Sequence, residues 1–136
     1  MSILNLNVQD AKPVTLLEDG EYELRIIHAE TKTSKSGNEY VNLRMEALDN
    51  PTADDVYHMM MLPSQDESKF KDKDDMVKQN NKRLNAFIEF GKAFNVDPAN
   101  LDLEILSGEV GRALIGSKSD PEYGEKNVVK RFLPAR

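Results

Sequence analysis

The sequence predicts a mainly β domain of five strands, with one helix between the third and the fourth. Three observations carry that reading: period-two alternation of apolar and polar residues in long segments, polar turns rich in Gly, Asn or Pro between them, and one central segment with helical spacing. The 136 residues fit one domain, and a hydrophobic fraction of 39% suffices for a single core. The expected organisation is one domain over 1–136, with a flexible N-terminal segment 1–15 and an exposed connection 64–75.

The first strand is expected from Gly20 to Glu30, where Tyr22, Leu24 and Ile26 alternate with Glu21, Glu23 and Arg25. Polar residues 31–38 follow, and the Gly37-Asn38 pair suits the positive-φ positions of a hairpin tip. The second strand runs from Glu39 to Leu48. Its Val41, Leu43, Met45 and Ala47 form one face, leaving Tyr40, Asn42, Arg44 and Glu46 on the other. After the turn at Asp49-Asn50-Pro51-Thr52, a third strand from about Val56 to Leu62 is apolar on both faces except for His58. A helix is expected from roughly Asp75 to Asn95, with Val77, Leu84, Phe87, Ile88, Gly91 and Phe94 as its buried stripe. Asp97-Pro98 reads as a cap followed by proline at the start of another helical turn. Two last strands, Arg112 to about Ser119 and about Lys126 to Leu133, flank a second polar tip at residues 120–125.

Composition excludes several classes. Cysteine is absent, which removes disulfides, thiolate zinc sites and cysteine nucleophiles, and the default compartment is the cytoplasm. No apolar run approaches the length of a membrane span. The net charge of −6 argues against a phosphate partner, yet the charge is unevenly spread. Nine acids face three lysines between Glu46 and Asp75, whereas Lys126, Lys130, Arg131 and Arg136 face only Glu125 near the end. A basic island also lies at 31–44, around Lys32, Lys35 and Arg44.

Five strands with a helix between the third and fourth is the element order of the OB-fold, a partly open Greek-key barrel, although other small barrels and α+β sheets share it. Gly20-Glu21-Tyr22, Ser36-Gly37-Asn38-Glu39-Tyr40, Asn81-Lys82-Arg83-Leu84 and Glu122-Tyr123-Gly124-Glu125-Lys126-Asn127-Val128-Val129 occur in that order. In order and spacing this pattern, spanning about Leu17 to Pro134, resembles the single-stranded-DNA-binding proteins of tailed bacteriophages. The resemblance implies an OB-fold, homodimeric or cooperative coating of single strands, and replication or recombination proteins as partners in an infected bacterial cell. The chain ends on Phe132-Leu133-Pro134-Ala135-Arg136, where that class usually carries an acidic tail.

A protein that coats single strands needs cations along a groove and aromatic rings for stacking. The candidates for stacking are Tyr40 and Tyr123, with Tyr57 third, and those for phosphate are Lys32, Lys35, Arg44, Arg112, Lys118, Lys126, Lys130 and Arg131. Asn42 shares a face with Tyr40 and Arg44, and Asn127 belongs to the second tip. The two tips are expected to converge beside the second strand. His28 and His58 read as plain strand residues, and Asp72, Asp74 and Asp75 as solvated charge without the ligand order of a calcium loop. The expected function is therefore sequence-tolerant binding of single-stranded DNA with no enzymatic activity, no metal and no cofactor. The alternative is a barrel that mediates protein interaction or oligomerisation and never touches nucleic acid.

Overall fold

Alternating side chains become a two-faced sheet only if one face finds a core, and here that core is closed by the central helix. A computed structural model describes residues 3–122 and 124–135. Its elements are β1 (Gly20–Thr33), β2 (Glu39–Ala47), β3 (Val56–Met61), α1 (Lys73–Phe94), β4 (Val110–Asp120) and β5 (Gly124–Leu133). The five strands form one antiparallel sheet in the order β3-β2-β1-β4-β5.

β1 is the spine. Its first half pairs with β4, from Gly20 opposite Ile115 to Arg25 opposite Val110, and its second half pairs with β2, ending with Thr33 opposite Glu39. The β1–β2 register shifts at Ile27, where Gly108 N–H donates to the Ile26 carbonyl at 2.8 Å and Ser107 Oγ to the Ile27 carbonyl at 3.1 Å. A bulge of this kind increases local twist. A second shift, between Leu114 and Ile115, inserts Lys130 into β5.

The inner face carries Leu24, Ile26, Val41, Leu43, Met45, Val56, Met60, Ala113, Ile115 and Phe132, all buried. α1 covers it with Phe87, Phe90 and Phe94, and Phe132 stands edge-on to Phe90 and Phe94 at 5.5 and 5.7 Å between ring centroids. His58 also faces inward, edge-on to Phe132 at 5.2 Å, and brings the two edge strands β3 and β5 together. Burial pushes its imidazole below the ordinary pKa.

The helix departs from expectation at both its start and its stripe. It begins at Lys73 because Asp72 caps it, accepting from Asp75 N–H at 2.7 Å, while Asp75 accepts from Lys71 N–H at 3.2 Å. The buried face is Met76, Asn80, Phe87, Phe90, Gly91, Ala93 and Phe94. Val77, Leu84 and Ile88 are exposed, on a second apolar stripe that the core does not use. Gly111 of β4 admits a close approach on the buried side, since a Cβ there would lie 2.8 Å from the Phe94 ring, while a Cβ on Gly91 would lie 2.7 Å from the Val96 carbonyl oxygen in the segment that follows the helix.

Two buried asparagines fasten the irregular segments. Asn80 accepts from Ser64 N–H at 3.1 Å and donates to the Ser64 carbonyl at 2.8 Å. Asn127 does the same for Leu17, accepting and donating at 2.9 Å, and also donates to the Gly116 carbonyl at 3.3 Å. Connection 64–75 holds one 3-10 turn at Glu67–Lys69, and Lys69 Nζ donates to the Gly37 carbonyl at 2.6 Å. Further 3-10 turns at Pro98–Asn100 and Leu103–Leu106 lead into β4.

Candidate nucleic-acid interface

Side chains directly opposite each other on antiparallel strands share a face, so the ladder registers define the outer surface rung by rung. On β1, β2 and β3 the rungs read Lys32–Tyr40–Met61, Glu30–Asn42–Met59 and His28–Arg44–Tyr57. Val41, Leu43 and Met45 point the opposite way into the core, which leaves Tyr40 half-buried and Arg44 exposed on the outside. Tyr57 is 55% exposed and Met59 54%, next to each other's rung, so the third strand presents a planar ring and a thioether to solvent.

The cations on this face have acidic neighbours. Arg44 Nε and Nη2 both donate to Asp55 Oδ2, at 2.8 and 2.7 Å, Lys32 Nζ lies 3.2 Å from Glu30, and Arg25 pairs with Glu46. His28 Nε2 is 3.5 Å from the same Glu30. Hydrogen bonds from Lys32 and His28 hold the Glu30 carboxyl below its ordinary pKa. Most of these groups are exposed, and exposed ion pairs add little to stability, whereas the Asp55 carboxylate is half-buried against Arg44. At the β1–β2 tip, Gly37 takes φ +84° and its N–H donates to the Ser34 carbonyl at 2.9 Å. Asn38 has no positive φ, so glycine alone makes the turn, and it leaves Lys35 exposed.

The first tip follows the Thr33 end of β1, and the second lies past its Gly20 end, where β4 runs on beyond Ile115 to Asp120. Lys118 and Lys126 face each other on one β4–β5 rung at the far end, with Lys126 Nζ 3.8 Å from Asp120. Lys130 and Arg131 lie along β5, Arg131 opposite Leu114. Among the described residues Lys35, Lys118, Lys130 and Arg131 form no ion pair. Tyr123 falls outside the described residues.

Two of the sequence-derived candidates do other work. Arg112 donates to Glu21 at 3.1 Å and to the Pro134 carbonyl at 2.7 Å, its side chain is only 19% exposed, and its Nε is buried without a partner among the described residues. It staples β4 to β1 and to the chain end, so it is withdrawn from the phosphate set. Asn127, placed in the second tip, is a buried clamp on Leu17. The strongest group the sequence undervalued is the Tyr57–Met59 pair. Methionines on both faces of β3 hide the alternation that would have marked these two as outward.

A family described as protein of unknown function, DUF669, matches residues 4–114. The chain belongs to the DUF669 family. The DUF669 match takes in β1, β2, β3 and α1 and stops inside β4. The outer face built from Lys32, Tyr40, Asn42, Arg44 and Tyr57 thus lies wholly within the DUF669 region, whereas Lys118, Lys126, Lys130 and Arg131 lie beyond it. A comparison with curated proteins found no match. Among the described residues no group of three or more His, Cys, Asp or Glu is placed to hold a metal ion, and no helix is long and apolar enough to cross a membrane.

Proposed function

We propose that the chain binds single-stranded nucleic acid, specifically single-stranded DNA in replication or recombination, on the outer face of β1, β2 and β3. The observation that carries this reading is the rung His28–Arg44–Tyr57 beside Asn42 and Tyr40: a cation, an amide and two phenol rings on adjoining rungs, on the side of the sheet away from the core. Rings stack on base faces whatever the sequence, and the guanidinium meets phosphate. The strand order β3-β2-β1-β4-β5 and the ring contact between His58 and Phe132 support reading the curled sheet as an OB-fold barrel, in which the face of the second and third strands is the ligand face. Lys118 opposite Lys126 supplies a second cationic patch. Two like charges on one rung repel, and a bound phosphate relieves that repulsion.

Fluorescence anisotropy with a labelled single-stranded oligonucleotide and its duplex tests the proposal. Preference for the single strand, weakening as salt rises, is expected. Tyr57→Ala and Tyr40→Ala should each cost about 1–3 kcal/mol of binding, the worth of one base stack. Absence of binding at low salt, or equal binding of duplex and single strand, would overturn it. The paired charges on the outer face favour one second reading, a module for protein interaction, for which salt-independent self-association without nucleic-acid binding is the signature.

A further inference from the structure

A groove of about 530 Å³ lies at the end of the molecule where β3 finishes, on the unused stripe of α1. Val41 and Leu62 from the sheet, Leu84, Phe87 and Ile88 from the helix, and Leu101 from the following segment line it, and no charged residue does. Leu84 and Ile88 are 51% and 44% exposed there. A surface of this composition is costly in water and marks a docking site.

The same chain carries an unpartnered apolar segment. Leu4, Leu6 and Val8 alternate with Asn5 and Asn7, and all three apolar side chains are more than two-thirds exposed. Residues 3–9 contain no charge, which matches the uncharged groove. The arm is held where β3 begins: Thr15 N–H donates to the Thr52 carbonyl at 3.0 Å and Asp54 N–H to the Thr15 carbonyl at 2.9 Å. Seven residues from Thr15 back to Val8 span at most about 25 Å, and the turn closed by Ala11 N–H on the Val8 carbonyl shortens that. In the folded chain Leu4, Leu6 and Val8 stay exposed, and none of them lines the groove of its own chain.

We infer that residues 4–8 of one copy dock in the groove between α1 and the end of β3 of a second copy. Two copies related by a two-fold axis each give an arm and receive one, so both apolar surfaces are covered at once. This docking uses neither the outer face nor its rings, and stands apart from the DNA-binding proposal.

Sedimentation velocity of the full chain without DNA, across a wide concentration range, tests it. Concentration-dependent association is expected, weakened at least tenfold by Leu6→Asp and, separately, by Leu84→Asp. Both positions are exposed, so circular dichroism and the urea midpoint should stay as in the parent. Because the chain has no cysteine, a Leu6→Cys copy mixed with a Leu84→Cys copy and oxidised should give a disulfide-linked pair. A chain that sediments as a monomer throughout, association indifferent to both charges, or a doubly substituted Leu6→Cys, Leu84→Cys chain that closes on itself would overturn the inference.

Discussion

At Asn127 one amide meets three backbone groups, two on Leu17 and one on Gly116, in a site closed to water. Replacing it by alanine leaves the Leu17 N–H and carbonyl without those partners, so Asn127→Ala should destabilise the fold by about 1–3 kcal/mol in urea titration. The Leu17 amide should at the same time exchange hydrogen faster than in the parent. Nothing in the spelling Lys126-Asn127-Val128 sets this asparagine apart from a tip residue, because its partner is 110 positions away. Tyr57 shows the opposite case. Its exposure makes Tyr57→Ala a test of binding with little effect on stability, yet methionine neighbours conceal its direction in the sequence. His58 is legible as a strand residue but not as a core-facing one. Its folded pKa lies below the unfolded value, so the unfolded chain binds the extra proton as pH falls between the two. Stability from His58 is thus complete above the unfolded imidazole pKa and declines below it, until the folded pKa is passed. His58→Leu should flatten that part of a stability-against-pH curve.

Strand positions were readable to within a few residues because alternation fixes which face is buried, and a one-residue slip would turn every side chain over. Bulges, by contrast, leave no mark in a polar-apolar pattern, and the one at Ile27 shifts the β1–β2 register by one residue. The helix stripe was misassigned for a related reason. Hydrophobic spacing marks two stripes on α1, and the one that meets the sheet is set by tertiary packing, with Phe90 and Phe94 against Phe132 and Gly111 making room for the Phe94 ring. Gly111→Ala drives a methyl group into the Phe94 ring and the Ala93 carbonyl and should cost about 1–3 kcal/mol, measured by thermal or urea unfolding. Phe132 ties β5 to α1 and to His58 of β3, so Phe132→Ala should lose about 3–5 kcal/mol.

Across the whole molecule the excess of acid, concentrated in residues 46–75, is partly absorbed by local structure: Asp72 and Asp75 cap α1, Asp66 caps a 3-10 turn, and Asp55 holds Arg44. The mainly β class, with five strands and a helix between the third and fourth, was visible in the sequence because alternation and spacing mark each element. The make-up of the outer face was not, since it depends on registers that set Tyr57 opposite Arg44 and Met59 opposite Asn42. The outer face also exposes Met59 beside that ring, whereas Met45, Met60 and Met76 are buried. Thioethers oxidise to sulfoxides at a rate set by access to the oxidant, so dilute peroxide should modify Met59 well ahead of those three. Peptide mass spectrometry with and without an oligonucleotide then turns this methionine into a chemical footprint of whatever covers the sheet.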